Sequence, residues 1–297
     1  MRIILTALAL VVGALYVLSA LNAGGGAPPN VFAGGPQAQG KVWLIAHQGG
    51  EGLWPSNTAL AFDRAAAMGA DMLDTDVHMT RDGQLVALHD ASVNRTTDGR
   101  GLVKDMTLAQ LQKLDAAYSF SLDGGRTFPY RGKDLRIPTL GELLGAHPNS
   151  AWGIEIKQDD PPMAGKLCEV LRAHRMTKQV IVASFKDDAM RAFRRACPEV
   201  LTSMTAREIR PLVLLDLVGL GGLYRPAGAS LQVPPRAGGL EVVTPRLLAV
   251  AARKHLSVQV WTVNGAREMR RLIALGVDGI NTDRPDILKR VLAERNP

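Results

Sequence analysis

The chain has 297 residues, of which 46% are apolar and 21% are charged, and its formal net charge is +7. This composition excludes a disordered or fibrous protein and provides enough apolar residues for a sizeable core. The basic residues are dispersed rather than gathered in a run. We therefore expect a solvated basic surface and no nucleic-acid partner.

An uncharged apolar run from Ile3 to Leu21 dominates residues 1–22 and follows Arg2. The run is about as long as a bilayer-spanning helix and exceeds the ~7–15 apolar residues of an ordinary secretion signal. No charge follows it before Lys41, so Arg2 is expected to stay on the cytoplasmic side. These features predict an N-terminal hydrophobic helix that anchors the chain to a membrane, with the remainder outside the cytoplasm. The alternative is a cleaved signal peptide and a secreted protein.

Residues 23–40 are rich in Gly, Ala and Pro and are expected to form a flexible linker. From residue 41 to 297, short apolar runs alternate with amphipathic helical patterns such as 58–68 and 187–196. The predicted strands are 42–48, 72–78, 151–157, 179–185, 200–204, 229–233, 257–263 and 279–283. This rhythm predicts an α/β fold, a (β/α)₈ TIM barrel. A doubly wound open sheet is the alternative, although no glycine-rich phosphate fingerprint follows the first strand.

An insertion of about 79–139 interrupts this rhythm after the second strand. It begins with an Asp82-Gly83 turn, which predicts an antiparallel hairpin because a parallel neighbour would need a long crossover. If the turn is centred on these two residues, Asp76 lies across from His89 at the mouth of the barrel.

Ionisable residues gather at the predicted carboxyl ends of strands, the end at which TIM barrels carry their active sites. Residues two apart on one strand point to the same side. Three carboxylates in one mouth would repel each other unless a cation lay among them, and a hard ion such as Ca²⁺ or Mg²⁺ suits oxygen ligands. The residues concerned are His47, Asp74, Asp76, His89, Glu155 and Lys157.

Two further kinds of residue are expected to be structural. Cys168 and Cys197 fall in predicted helices without metal-type spacing, and we expect two buried thiols rather than a disulfide. His78 has the same parity as Asp76 but lies past the expected rim of the barrel, so we expect it to serve the structure rather than the chemistry.

Several motifs, in order and at suitable spacing over about residues 42 to 290, resemble those of the glycerophosphodiester phosphodiesterase family. They are Ala46-His47-Gln48-Gly49-Gly50, Pro55-Ser56-Asn57-Thr58, Asp74-Thr75-Asp76-Val77, Thr80-Arg81-Asp82-Gly83, His89-Asp90, Glu155-Ile156-Lys157, Val260-Trp261-Thr262 and Thr282-Asp283-Arg284-Pro285. The resemblance implies a TIM barrel, a divalent metal cation, and hydrolysis of glycerophosphodiesters to an alcohol and glycerol 3-phosphate.

The resemblance also implies a role for each matching residue. His47 and His89 correspond to the general acid and base. Lys157, Trp261 and Gln48 correspond to positions that approach phosphate and substrate. The implied metal ligands are Asp74, Asp76 and Glu155.

Three positions depart from the family's pattern. Gln48 replaces an arginine, which removes a bidentate cationic anchor for phosphate. Ser56 replaces a glutamate, and Asp74 is one methylene shorter than the usual glutamate. These departures leave open a catalytically weakened barrel that only binds phosphorylated ligands. Other barrel phosphodiesterases are also open: a lysophospholipase D acting on membrane lysophospholipids, and a nuclease.

Overall fold

The computed structural model describes residues 2–21, 32 and 42–294. Its strands are β1 (Trp43–His47), β2 (Met72–Met79), β3 (Leu85–Ala87), β4 (Ala151–Ile156), β5 (Val180–Ala183), β6 (Leu201–Thr202), β7 (Ser230–Val233), β8 (Arg236–Ala237), β9 (Leu240–Glu241), β10 (Ser257–Val260) and β11 (Gly279–Thr282). Its α-helices are α1 (Arg2–Leu21), α2 (Ala59–Met68), α3 (Leu108–Leu111), α4 (Leu140–Ala146), α5 (Ala164–Ala173), α6 (Asp187–Ala196), α7 (Ala206–Leu217), α8 (Pro245–Arg253), α9 (Ala266–Leu275) and α10 (Pro285–Ala293).

Eight parallel strands form a nearly closed barrel in the order β6-β5-β4-β2-β1-β11-β10-β7. An isolated parallel bridge between Ser203 and Ser230 brings the two ends of this order together. All eight predicted strands and the helices between them are present. The (β/α)₈ prediction is confirmed, and the open-sheet alternative is wrong.

The local sequence explains why the helices begin where they do. Thr58, Thr139, Thr205 and Thr244 lie at N-cap positions, and each side-chain hydroxyl accepts a backbone N–H of the first turn. Inside this layer of helices the strands are buried on both faces, as the burial of β4 shows. The helices therefore hold the strands in register, and the strands carry the polar side chains at their carboxyl ends.

The predicted hairpin is present, with β3 antiparallel to β2, but its predicted register is wrong by one residue. Val77 pairs with Ala87, and the N–H of Leu88 donates to the carbonyl of Asp76 at 3.0 Å. Leu88, rather than His89, is therefore opposite Asp76. The physical reason is a three-residue loop with Gly83 at φ +76°, closed by a hydrogen bond from the N–H of Thr80 to the carbonyl of Gln84.

Residues Arg2–Leu21 form α1, which contacts the segment after α7. The Tyr16 hydroxyl donates to the carbonyl of Val218 at 2.7 Å, and the Ser19 hydroxyl donates to that of Gly219 at 3.2 Å. Within the described part of the chain, no helix combines the length and apolar character needed to cross a membrane. The predicted membrane anchor therefore finds no support. The predicted linker, 23–40, lies outside the described residues except for position 32.

The prediction of two separate thiols is wrong, because Cys168 and Cys197 form a disulfide. Helices α5 and α6 pack side by side. Cys168 lies on α5 and Cys197 caps the C-terminus of α6, and their Cα atoms are 5.5 Å apart. The contact depends on how two helices pack against each other. Spacing along the sequence does not encode that packing.

Candidate active site

The predicted site residues lie at the carboxyl ends of neighbouring strands. His47 ends β1, Asp74 and Asp76 lie on β2, and Glu155 lies near the end of β4. Sheet register places His47 beside Asp74, and Asp76 beside Glu155. Parallel pairing therefore brings four residues that are distant in sequence into one polar layer at the mouth of the barrel.

His47 is held by a carboxylate from the last strand end. Its Nδ1 lies 2.6 Å from Oδ1 of Asp283, and the other oxygen of Asp283 accepts the amide of Asn264 at 2.7 Å. Burial alone would lower the pKa of His47. The bond to Asp283 and the charges of Asp74, Asp283 and Asp76 outweigh burial and raise that pKa to about 9. His47 is therefore protonated at neutral pH.

His89 has a different carboxylate partner, the neighbouring Asp90. The distance from Nδ1 of His89 to Oδ1 of Asp90 is 2.8 Å. Arg95 donates two hydrogen bonds to Asp90, at 2.8 and 3.0 Å, and lies 4.0 Å from Glu51. The bond from Arg95 is the main cause that lowers the pKa of Asp90 to about 2. Asp90 is therefore ionised and accepts the Nδ1–H of His89, which leaves Nε2 free to accept a proton.

Asp76 and Glu155 share one cation, the ammonium of Lys157. Its Nζ lies 3.0 Å from Oδ1 of Asp76 and 2.8 Å from Oε2 of Glu155. The second oxygen of Asp76 accepts the amide of Asn57 at 3.1 Å. Burial raises the pKa of Glu155, while the charge of Lys157 opposes that shift. The two acids therefore converge on a point where positive charge is stabilised.

Asp74 has a different partner, because the amide of Asn281 donates to its Oδ2 at 2.8 Å. Burial raises the pKa of Asp74 to about 7, although the charge of His47 lowers it. The neighbouring strand gives it room, because a Cβ on Gly153 would collide with Oδ1 of Asp74. A glycine in β4 thus creates the space that this carboxylate occupies.

These acids fit a divalent cation. Carboxylate oxygens are ligands that suit Ca²⁺ or Mg²⁺. The ammonium of Lys157 already places a positive charge between Asp76 and Glu155. Asp74, Asp76 and Glu155 do not bring their ligand atoms within 4.8 Å of one another in this arrangement. Apart from the disulfide cysteines with Glu199, the described residues that do so are His47, Glu51 and Asp283, and His47 and Asp283 are already bonded to each other.

The predicted substrate-binding residues surround this layer. Gln48 is 2% exposed and has φ +51°, and its Nε2 lies 3.4 Å from Nε2 of His47. Its Oε1 has no hydrogen-bond partner within the described residues. Trp261 follows β10 and packs edge to face with Phe185, at 5.6 Å between ring centroids. Phe185 is 61% exposed, so this pair offers an apolar surface at the mouth.

His78 is buried behind the site. Its ring nitrogens lie 3.4 Å from Oε1 of Gln158 and 3.3 Å from the carbonyl of His89, and burial lowers its pKa. These contacts agree with the structural role expected for it.

Sequence reasoning assigned no role to several residues that hold the predicted ones in place. Three of them, Asn57, Asp90 and Asp283, lie within the motifs quoted above, so their position in the sequence was a signal. Asn264 and Asn281 contribute amides, and Arg95 contributes a guanidinium, through tertiary contacts that spacing does not reveal. The residues without an assigned role are Asn57, Asp90, Arg95, Asn264, Asn281 and Asp283.

Known proteins resemble this chain over most of its length. Residues 47–287 match the model of the glycerophosphoryl diester phosphodiesterase family. A glycerophosphodiester phosphodiesterase of Caldanaerobacter subterraneus subsp. tengcongensis is 34% identical over 257 residues, which cover 84% of this chain and 96% of that protein. A lysophospholipase D of Mus musculus is 26% identical over 273 residues, which cover 84% of this chain and 85% of that protein.

Among solved structures, the barrel resembles that of a glycerophosphodiester phosphodiesterase from Agrobacterium tumefaciens. The TM-score is 0.67 at 24% identity, and the match covers 84% of this chain and 99% of that one. This likeness concerns the fold, while the family match and the bacterial relative concern the sequence. The chain belongs to the glycerophosphoryl diester phosphodiesterase family and is a phosphoric diester hydrolase.

Proposed function

We propose that the chain hydrolyses glycerophosphodiesters to an alcohol and glycerol 3-phosphate, with a divalent cation and with His47 and His89 as the acid–base pair. One observation carries the proposal: each imidazole is fixed through Nδ1 by its own aspartate, and each interacts electrostatically with the acid cluster. Because both histidines keep these partners, an enzyme is favoured over a weakened binding barrel.

Asp74, Asp76 and Glu155 would hold the cation. When bound, it supplies positive charge that neutralises the phosphate oxygens and polarises phosphorus. The ammonium of Lys157 lies beside Asp76 and Glu155 and can approach the same phosphate. This position partly offsets the absence of the family's phosphate-binding arginine, which Gln48 replaces. The Oε1 atom of Gln48 has no hydrogen-bond partner within the described residues and suits a hydroxyl of the substrate.

The surroundings of the two histidines separate their roles. His47 carries a proton at neutral pH because its pKa is raised to about 9, which suits it to protonate the departing alkoxide. Asp90 accepts the Nδ1–H of His89, so the lone pair of that ring lies on Nε2. We therefore assign His89 the removal of a proton from the nucleophile, either water or the adjacent glycerol hydroxyl.

The decisive experiment measures release of glycerol 3-phosphate from glycerophosphocholine. The purified chain is assayed as isolated, after EDTA treatment, and after Mg²⁺ or Ca²⁺ is added back. Turnover that disappears with chelator and returns with metal is the expected result. Full turnover in excess EDTA would remove the metal from the proposal, and no release of glycerol 3-phosphate under any condition would remove the activity.

Lysophospholipids are a second candidate substrate. Two observations favour them: one mammalian relative is named a lysophospholipase D, and the exposed Phe185 beside Trp261 offers an apolar surface for an acyl chain. A parallel assay with lysophosphatidylcholine tests this candidate. Choline release at a rate comparable to that from glycerophosphocholine supports it, and a rate at background level excludes it.

We place the barrel outside the cytoplasm. The apolar N-terminal run predicts export, and the Cys168–Cys197 disulfide supports it, because such bonds persist mainly in oxidising compartments. Cell fractionation followed by immunodetection tests this placement, and recovery of the protein solely from the cytoplasm would exclude it.

A further inference from the structure

A cavity of about 180 Å³ lies beside the acid cluster, between the insertion and the loops that follow β4 and β5. Lys157 forms part of its wall and connects it to the candidate active site. His78 closes another part of the wall. The cavity is therefore adjacent to the place where the phosphodiester would be cleaved.

Two ion pairs line this cavity. Lys104, from the insertion, lies 3.7 Å from Asp160, and Lys186, which precedes α6, lies 3.3 Å from Asp159. All four side chains are exposed to solvent at more than a third of their surface. Exposed ion pairs of this kind contribute little stability, so a charged ligand can replace either partner at small cost.

The exposed charged side chains that line the cavity include equal numbers of lysines and aspartates. Lys157 contacts Asp76 and Glu155 and is counted here with the acid cluster. The remaining formal charges are one cation on the insertion, one cation directly before α6 and two anions on the loop after β4, and they sum to zero. A purely cationic alcohol would leave lysines unpaired, and a purely anionic one would leave aspartates unpaired.

We propose that this cavity receives the alcohol half of the substrate and selects an alcohol that carries both an ammonium and a carboxylate, as the serine of glycerophosphoserine does. The inference rests on the proposed function. The ammonium pairs with Asp159 or Asp160, and the carboxylate pairs with Lys186 or Lys104. The quaternary ammonium of choline has no N–H to donate, and the neutral glycerol group leaves both ion pairs as they are.

The experiment compares kcat/KM for glycerophosphoserine, glycerophosphocholine and glycerophosphoglycerol, with release of glycerol 3-phosphate measured in the metal-loaded full chain. The wild type is expected to prefer the serine ester over the other two by roughly tenfold, which corresponds to one additional charge-assisted contact. Lys186→Ala and Asp159→Asn are expected to bring the ratio of serine to glycerol esters close to one.

Lys178→Ala is the matched control, because this exposed lysine precedes β5 at the opposite end of the barrel. It should keep the wild-type ratio. Equal kcat/KM on all three substrates, or an unchanged ratio in both cavity variants, would overturn the subsite and leave the proposed function intact. Absence of turnover on all three would overturn the proposed function and the subsite with it.

Discussion

His47 and Asp283 lie at the carboxyl ends of the first and last barrel strands, and their side chains are joined at 2.6 Å. The pairing of β1 with β11, in which Ala46 is opposite Thr282, makes this contact possible between residues 236 positions apart. Asp283 receives a further hydrogen bond from the neutral amide of Asn264 and so keeps its full charge. Closing the barrel therefore completes the environment that keeps His47 protonated.

Asp283→Asn tests this environment. The substitution keeps an acceptor oxygen but removes the charge, so the pKa of His47 should fall from about 9. A proton donor works below its pKa, so activity is lost as the pH rises through that value. The alkaline limb of kcat should therefore move to lower pH, and kcat at pH 7 should fall roughly fourfold if the pKa returns to about 6.5, the ordinary value for histidine. Asp286→Asn, which loses only contacts to Arg284 and Arg290, should leave the pH profile unchanged. An alkaline limb that stays in place would exclude His47 as the group titrating there.

Replacing either histidine should abolish most of the turnover without unfolding the barrel. His47→Ala and His89→Ala each remove one proton-transfer group, and we expect kcat to fall roughly 10²–10⁴-fold. His174→Asn serves as the comparison, since that histidine caps the C-terminus of α5, away from the strand ends that carry the site. Circular dichroism and thermal melting should show that both alanine variants are folded. A variant that retains near-full activity would remove its histidine from the mechanism.

The strand positions were predictable because periodicity is a local property. The run at 179–185 clusters apolar, β-branched residues over a length typical of a buried strand, and β5 lies within that range. The register of the hairpin was not predictable from the Asp82-Gly83 pair. A two-residue and a three-residue loop share that sequence signal, and the contacts of β3 with Pro138 and the rest of the insertion decide between them.

The candidate site was predictable to the extent that its residues occupy strand ends. His47, Asp76 and Glu155 follow from barrel geometry and strand parity. The partners that set their charge states come from other strand ends: Asn281 beside Asp74, and Asp283 beside His47. Sequence spacing cannot identify these partners, because strand order around the closed barrel, not chain order, makes them neighbours.

Gly153 offers a test of how the barrel positions Asp74. Gly153→Ala would place a methyl group against the Asp74 carboxylate, while the backbone conformation allows alanine. Displacement of that carboxylate by even about 1 Å should cost roughly 10²-fold in kcat/KM. It should also raise the metal concentration needed for half-maximal activity.

Gly165→Ala is the control for this substitution, because a Cβ there meets nothing within 4 Å and lies on the exposed first turn of α5. It should keep full activity and stabilise the fold by up to about 1 kcal/mol. If Gly153→Ala matched wild-type kcat/KM and metal dependence, Asp74 would have no part in the metal site.

The disulfide should stabilise the fold without contributing to catalysis. Cys168 and Cys197 enclose a loop of 29 residues between two outer helices, away from the strand ends that carry the site. The chain-entropy estimate for a loop of this length is about 3–4 kcal/mol, so reduction should lower the free energy of unfolding by roughly that amount. Urea denaturation with and without dithiothreitol measures this difference, and kcat of the folded protein should be the same in both.

The double variant Cys168→Ser, Cys197→Ser provides the control, since it should show the lower stability and no response to the reductant. A wild-type unfolding curve that dithiothreitol leaves unchanged would mean that the two helices are held by packing alone.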